Sequence, residues 1–259
     1  MSERTKYSPG TFSWTDLTTT DQDAAKQFYG RLFGWTAVDN PVGDGYVYSM
    51  MQLDGKDVAA ISAQPQQQAE SGVPPLWNSY ITVESADDAA DRAQKLGATV
   101  HAPAFDVMDV GRMAVIQDPQ GAFFMAWEPK RHIGAALVNA PGALSWNELA
   151  TPDIDGSADF YRELFGWKFE AYEGMEMPYM VIQTADGASN GGLRGAMENE
   201  PTYWLVYLGT ANIEEGMSDA TELGATALVG PVDIGAGQIG VLQDPQGAVF
   251  ALYAGQFDD

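Results

Sequence analysis

Two acids occupy matching places in the chain: Asp16 in "SWTDL" (13–17) and Glu148 in "SWNEL" (145–149). Each follows a tryptophan, Trp14 or Trp146, by two residues, and residues two apart on a strand share a face. A carboxylate beside an indole is partly desolvated. Its pKa then rises unless donors or cations compensate. Such a group can serve as a general acid or base, or accept a hydrogen bond from a ligand hydroxyl or amine. Asp16 and Glu148 are therefore the candidate catalytic residues. The chain has no cysteine and only two histidines, His101 and His132, which excludes thiolate nucleophiles and cysteine-based metal sites. One carboxylate per strand without a neighbouring His is a poor transition-metal site.

The elements that carry these acids come in pairs. Residues 11–36 and 143–168 align without a gap at an offset of 132, with twelve of 26 positions identical, including Phe28/Phe160, Tyr29/Tyr161 and both "LFGW" runs. "LGAT" recurs at 96–99 and 223–226, and "QDPQGA" at 117–122 and 243–248. The chain is thus a tandem repeat. Its organisation reads as a first domain over 8–128, a linker over 129–142 and a second domain over 143–257, each long enough to bury a core. Within each half a β-α-β-β-β pattern occurs twice. A strand at 11–17 precedes a helix at about 23–33 that presents Phe28, Tyr29, Leu32 and Phe33 on one face. Gly34 closes that helix, and "DG" at 54–55 marks a hairpin. "DPQG" reads as a tight turn into the last strand.

Composition limits the partners. Thirteen basic against 36 acidic residues give a net charge of −23, which argues against nucleic acid and against an anionic membrane. No run reaches the ~18 apolar residues of a membrane span, and "MSERTKYSPG" lacks the apolar stretch of a signal peptide. A cytoplasmic protein is expected.

The tandem β-α-β-β-β pattern, with "FY…LFGW" after the first strand and "DPQGA" before the last, resembles the vicinal oxygen chelate superfamily of glyoxalases, bleomycin-resistance proteins and extradiol dioxygenases. "RHIGAALVN" and "SWNEL" resemble its two-domain actinobacterial glyoxalase-like subgroup. The resemblance implies an α+β fold of four βαβββ modules, arranged as two tandem domains with open, cup-like sheets. It also implies where metal ligands would stand. The first-strand ligand falls on Trp14 and Trp146, the last-strand ligand on Met125 and Ala251, and the second-module position on Asn78 and Leu205. Trp14 and Trp146 cannot ligate a divalent metal, and none of the other positions carries the family's usual His, Gln or Glu, so no metal and no cofactor are expected.

Strand alternation directs Phe12, Trp14, Asp16, Asn78, Tyr80, Phe123, Met125 and Trp127 into the first cup. It directs Leu144, Trp146, Glu148, Leu205, Tyr207, Val249, Ala251 and Tyr253 into the second. The candidate ligand-binding residues are Trp14, Asn78, Tyr80, Arg112, Met125, Trp127, Trp146, Tyr207 and Tyr253, with Arg112 as an anion contact at the mouth of its strand. Aromatic concavities attract planar or apolar small molecules, and the same rings could equally fill the cups as core. Three functions stay open. A binding or sequestering protein for an apolar or aromatic metabolite comes first. A metal-independent enzyme (lyase, isomerase or hydroxylase-like) of secondary metabolism or aldehyde detoxification, using Asp16 and Glu148, comes second. A metal-dependent glyoxalase or dioxygenase with displaced ligands comes third. The partner expected is a small molecule, and a homodimer is compatible with the sequence.

Overall fold

The structure is a computed structural model that describes residues 2–43, 45–173 and 177–257. The first half contributes β1 (Ser2–Glu3), β2 (Phe12–Thr19), α1 (Gln22–Phe33), β3 (Thr36–Pro41), β4 (Val47–Leu53), β5 (Lys56–Ala63), α2 (Gln66–Glu70), β6 (Leu76–Thr82), α3 (Ala86–Lys95), β7 (Thr99–Val107), β8 (Gly111–Gln117) and β9 (Phe123–Pro129). A short β10 (Leu137–Val138) lies in the linker. The second half contributes β11 (Leu144–Thr151), α4 (Ile154–Phe165), β12 (Lys168–Ala171), β13 (Tyr179–Gln183), β14 (Ser189–Gly195), β15 (Tyr203–Gly209), α5 (Ile213–Glu222), β16 (Thr226–Asp233), β17 (Gly237–Gln243) and β18 (Val249–Gly255).

The repeated helix is set by local chemistry. Asp21 and Asp153 cap α1 and α4 by accepting from the backbone N–H of Ala24 and Gly156. Gly34 and Gly166 end the helices at φ 73° and 72°, a left-handed conformation that glycine adopts without a Cβ penalty.

Each half builds its own sheet from its own two modules. The strand orders are β3-β4-β5-β2-β6-β9-β8-β7 and β12-β13-β14-β11-β15-β18-β17-β16. In each, the first strand pairs parallel to one neighbour and antiparallel to the other: β2 with β5 and β6, β11 with β14 and β15. This is the α+β, tandem cup-like architecture that the family resemblance implied.

The cores are arranged differently from one core per half. One cluster joins Phe28 and Tyr29 of α1 to Met217 and Ala220 of α5 and to Phe250. The other joins Ala89, Ala90 and Phe124 of the first half to Phe160, Tyr161 and Trp204 of the second. Each half therefore buries its helices against the other half. The two "DPQG" aspartates tie this exchange together. Tyr29 Oη donates to Asp244 at 2.9 Å, and Tyr161 Oη donates to Asp118 at 2.9 Å. The same aspartates accept three backbone N–H bonds each, shaping the turns into β9 and β18.

One inward assignment, that of Phe12 to the first cup, needs correction. A bulge shifts the β2–β6 pairing between Phe12 and Trp14, and another shifts β11–β15 between Leu144 and Trp146. The extra residue turns the strand's pleat by one position. Phe12 consequently faces Trp204 and Trp167, with ring centroids at 4.8 and 5.5 Å, whereas Leu144, although packed in the cluster that holds Leu208, still borders the recess of the second sheet.

Candidate functional site

Past the bulges, Trp14 and Asp16 share the concave face of the first sheet, as Trp146 and Glu148 share that of the second. The two cups hold their acids differently. Asp16 is only 5% exposed. Its Oδ2 accepts from Tyr48 Oη at 2.9 Å and Tyr80 Oη at 2.7 Å, and its Oδ1 accepts from Asn78 Nδ2 at 2.8 Å. Trp14 Nε1 in turn donates to Tyr48 Oη. Burial pushes the Asp16 pKa up, and the three hydrogen bonds only partly oppose it. Burial and then the Asp16 charge raise Tyr48 and Tyr80 well above the usual tyrosine range. Both phenols remain protonated donors at neutral pH.

Glu148 has a cation instead. Its Oε1 accepts from Arg194 Nε at 2.7 Å and its Oε2 from Tyr207 Oη at 3.0 Å. Arg194 also forms a fork with Glu200, Nη1 to Oε2 at 2.7 Å and Nη2 to Oε1 at 2.6 Å. Burial opposes the Arg194 charge, yet the bonds to Glu200 and Glu148 outweigh it and hold the guanidinium above its usual pKa. A doubly paired arginine is the arrangement that lets a charge persist in a dry interior. The register explains the contrast. Ser62 faces Thr18 in the first sheet at the place where Arg194 faces Ala150 in the second. Likewise Asn78 faces Asp16 where Leu205 faces Glu148.

The interiors differ more than the acids. In the first cup the linker enters. His132 stacks edge-on against Trp14 and Trp127 at 4.6 and 5.8 Å, and Trp127 Nε1 donates to the His132 carbonyl. Ala135 N–H donates to Ser13 O at 2.7 Å, and Ala136 N–H to Asp57 O at 2.7 Å. Gly134 permits this approach, since a Cβ there would lie 2.3 Å from Ser13 O at φ +112°. Trp14, Tyr80, Met125 and Trp127 are all buried in one cluster with Ala135, Leu137 and Val138. The first cup is filled.

The second cup is open. It holds a cavity of about 1020 Å³ whose walls include Trp146, Glu148, Tyr179, Tyr207 and Tyr253. Trp146 Nε1 donates to Tyr179 Oη at 3.0 Å, repeating the Trp14–Tyr48 bond. Gly192 makes room for that pair, because a Cβ would meet Tyr179 Oη at 1.9 Å and Trp146 Nε1 at 3.0 Å. Burial, then the Glu148 charge, raises the pKa of Tyr179 and Tyr207. Tyr253 Oη lies 2.9 Å from the Ala236 carbonyl and 3.0 Å from the Gln256 carbonyl, and its single proton is shared between these two acceptors.

The anticipated residues thus fall into three places. Trp146, Glu148, Tyr207 and Tyr253 line the open cavity. Trp14, Asp16, Tyr80, Met125 and Trp127 are buried in the filled cup, and Asn78 is half-buried there with both of its donors on Asp16 and Thr18. Arg112 lies in neither: its guanidinium bonds Asp87 at 2.7 and 2.9 Å and the Ala104 carbonyl. Sequence reasoning passed over Tyr48, Tyr179, Arg194 and Glu200. The visible signal was "NGGLRG" (190–195), a strand of small and apolar residues containing one arginine in an acid-rich chain.

The family resemblance raises the question of whether either cup suits an ion. Both Glu148 oxygens are already taken, one by a guanidinium, and Asp16 is enclosed by neutral donors. Among the described residues, no group of three or more His, Cys, Asp or Glu side chains converges. This donor set does not fit a resident divalent metal.

Comparisons with known proteins agree on the fold. Residues 11–125 match the Glyoxalase/Bleomycin resistance protein/Dioxygenase superfamily, and residues 147–253 match a Glyoxalase-like domain. A Mycobacterium tuberculosis protein named "Putative glyoxylase CFP32" is 42% identical over 97% of both chains. "Anthracycline biosynthesis protein DauV" of Streptomyces sp. strain C5 is 33% identical over 96% of this chain and 94% of that one. The fold is similar to that of a Mn(II)-bound glyoxalase from Novosphingobium aromaticivorans, with a TM-score of 0.66 at 15% identity, over 97% of this chain and 85% of that one. No helix among the described residues is long and apolar enough to cross a membrane.

Proposed function

We propose a function from the premise that the chain belongs to the Glyoxalase/Bleomycin resistance protein/Dioxygenase superfamily: its second cup binds and sequesters one planar, apolar or aromatic small molecule without a metal. The observation that carries this reading is the aromatic-walled cavity of about 1020 Å³ in one cup, beside an equivalent cup filled by the linker. Rings on Trp146, Tyr179 and Tyr253 offer faces for stacking, and fixed phenols and amides orient polar edges. The name of the Streptomyces relative points to the same class, since an anthracycline is a planar, multi-ring aromatic.

The test is calorimetric titration of the purified protein with a panel of planar aromatics, anthracyclines included. It is repeated after chelator treatment, with mass spectrometry of the ligand afterwards. Saturable binding, unchanged by the chelator and with ligand mass unaltered, supports the reading. Binding that chelation abolishes, or no binding across the panel, counts against it.

One observation favours a second reading. Glu148 lines the cavity, so a metal-independent enzyme could use it as acid or base, with Arg194 and Tyr207 fixing its carboxylate in place. Product formation that Glu148→Gln removes while affinity persists would move the assignment to that enzyme. Asp16 has no part in that reading, because it is buried with its carboxylate enclosed by Tyr48, Tyr80 and Asn78.

A further inference from the structure

The open cup has a wall that belongs to neither sheet core. Residues 2–8 run along the linker: Ser2 and Glu3 pair with Val138 and Leu137, and Arg4 N–H donates to Ala136 O at 2.9 Å. Tyr7 Oη donates to Ala135 O at 2.7 Å. From this anchored arm, Arg4 and Lys6 line the cavity of the second cup.

Neither of these cations is tied up by an acid among the described residues. Acidic residues outnumber basic ones 36 to 13, and Lys56 at the same arm pairs with Glu3 at 2.8 Å. Yet among the described residues neither Arg4 nor Lys6 forms an ion pair. The acids that line the same cavity are engaged elsewhere. Glu148 is held by Arg194, and Asp186 accepts from Thr184 Oγ1. The cavity therefore combines aromatic faces with two available cations, a guanidinium that is half-buried and an ammonium that is exposed. A guanidinium offers paired donors to a carboxylate, and partial burial strengthens that contact. The overall charge of −23 opposes an anion at long range, but exposed charges are screened beyond a Debye length of about 8 Å at physiological salt.

Resting on the reading of the second cup as the ligand site, we propose that its ligand is an aromatic carboxylate. Its rings lie against Trp146 and Tyr179, and its carboxylate is held by Arg4 and Lys6 of the N-terminal arm. The arm is thus a specificity-determining segment that adds charge recognition to an otherwise aromatic cup.

Three matched probes test it by calorimetry on the full chain: 2-naphthoate, 2-naphthylmethanol and 2-naphthylmethylammonium. The wild type is expected to bind 2-naphthoate tightest. Arg4→Gln/Lys6→Gln is expected to weaken 2-naphthoate about tenfold, the order of one charge-assisted hydrogen bond, and to leave 2-naphthylmethanol within about twofold. Arg4→Lys/Lys6→Arg, which keeps the charge and the arm's backbone pairing, should retain most of the preference. A wild type that favours the alcohol or the ammonium overturns the inference while leaving the aromatic site standing. So does a double glutamine variant that keeps the carboxylate preference. Failure of all three probes to bind the wild type overturns the aromatic site itself, and the inference with it.

Discussion

The two cups began as copies of one module pair and now differ in what occupies them. In the first, a chain segment takes the place a ligand would take: His132 and Ala135 fill the space in front of Trp14, and Asp16 is enclosed by Tyr48, Tyr80 and Asn78. In the second, the tryptophan faces a cavity and the acid is neutralised by Arg194. Duplication lets one copy hold the fold together while the other keeps a recess. The same Trp-x-acid unit is core in one half and wall in the other, decided by segments far away in sequence.

The tryptophans break or sharpen this contrast most strongly. Trp14 is 2% exposed, so Trp14→Ala should cost about 3–5 kcal/mol of stability. Trp146→Ala removes a half-buried ring and should cost clearly less, while weakening ligand binding. Chemical denaturation of both variants decides it, and equal losses would erase the distinction between core and wall. Next in size is the charge difference. Arg194→Gln strands Glu148 beside a partly paired Glu200 and should cost about 3 kcal/mol. Tyr80→Phe takes one of three donors from Asp16 and should cost about 1–2 kcal/mol. The reverse order would mean that the Arg194 fork is dispensable.

A smaller effect separates the linker from ordinary turns. Gly134 and Gly187 both have positive φ, 112° and 91°, but only at Gly134 would a Cβ meet backbone, Ser13 O at 2.3 Å. Gly134→Ala should therefore cost about 2 kcal/mol or more and Gly187→Ala about 1 kcal/mol. Similar melting temperatures for the two variants would show that the linker is loosely seated.

The smallest effect is a pH dependence. Burial depresses the His132 pKa, with Asp57 opposing, and its Nε2 is buried without a partner. The folded protein therefore keeps His132 neutral in a window just below pH 6.5 where the unfolded chain takes up a proton. Stability is then lost as pH falls from about 6.5 through the folded value, at no more than about 1.4 kcal/mol per pH unit for one proton. His132→Phe keeps a ring against Trp14 and should flatten that part of the profile. Asp16 titrates with the opposite sign, because its raised pKa favours the protonated fold, and it is common to both proteins. Parallel wild-type and variant profiles would remove His132 from the filled cup.

Much of this was readable from residue types and spacing. The repeat, the order of the repeated strands and helices and the placement of Trp and acid on one strand face follow from period-two alternation and helix-capping chemistry, whereas α2 falls in 64–75, a stretch that reads as a polar loop. The bulge at Ser13 was not readable, because it adds a residue without any change in local pattern, and it turned Phe12 toward the other half. The filling of the first cup was equally hidden. "RHIGAALVN" reads as a polar-to-apolar linker, and only the tertiary fold brings Gly134 against Ser13. Arg194 needed the sheet register, since its pairing with Glu148 spans 46 residues. Shared cores were hidden for the same reason: amphipathic helices show which face is buried but not against which half.

The central claim, one filled cup and one open cup, is tested most directly by ligand stoichiometry. Calorimetric titration with a planar aromatic that binds should give one ligand per chain, with binding lost in Trp146→Ala and retained in a folded Trp14→Phe variant. Two ligands per chain, or binding lost in Trp14→Phe and retained in Trp146→Ala, would contradict the account.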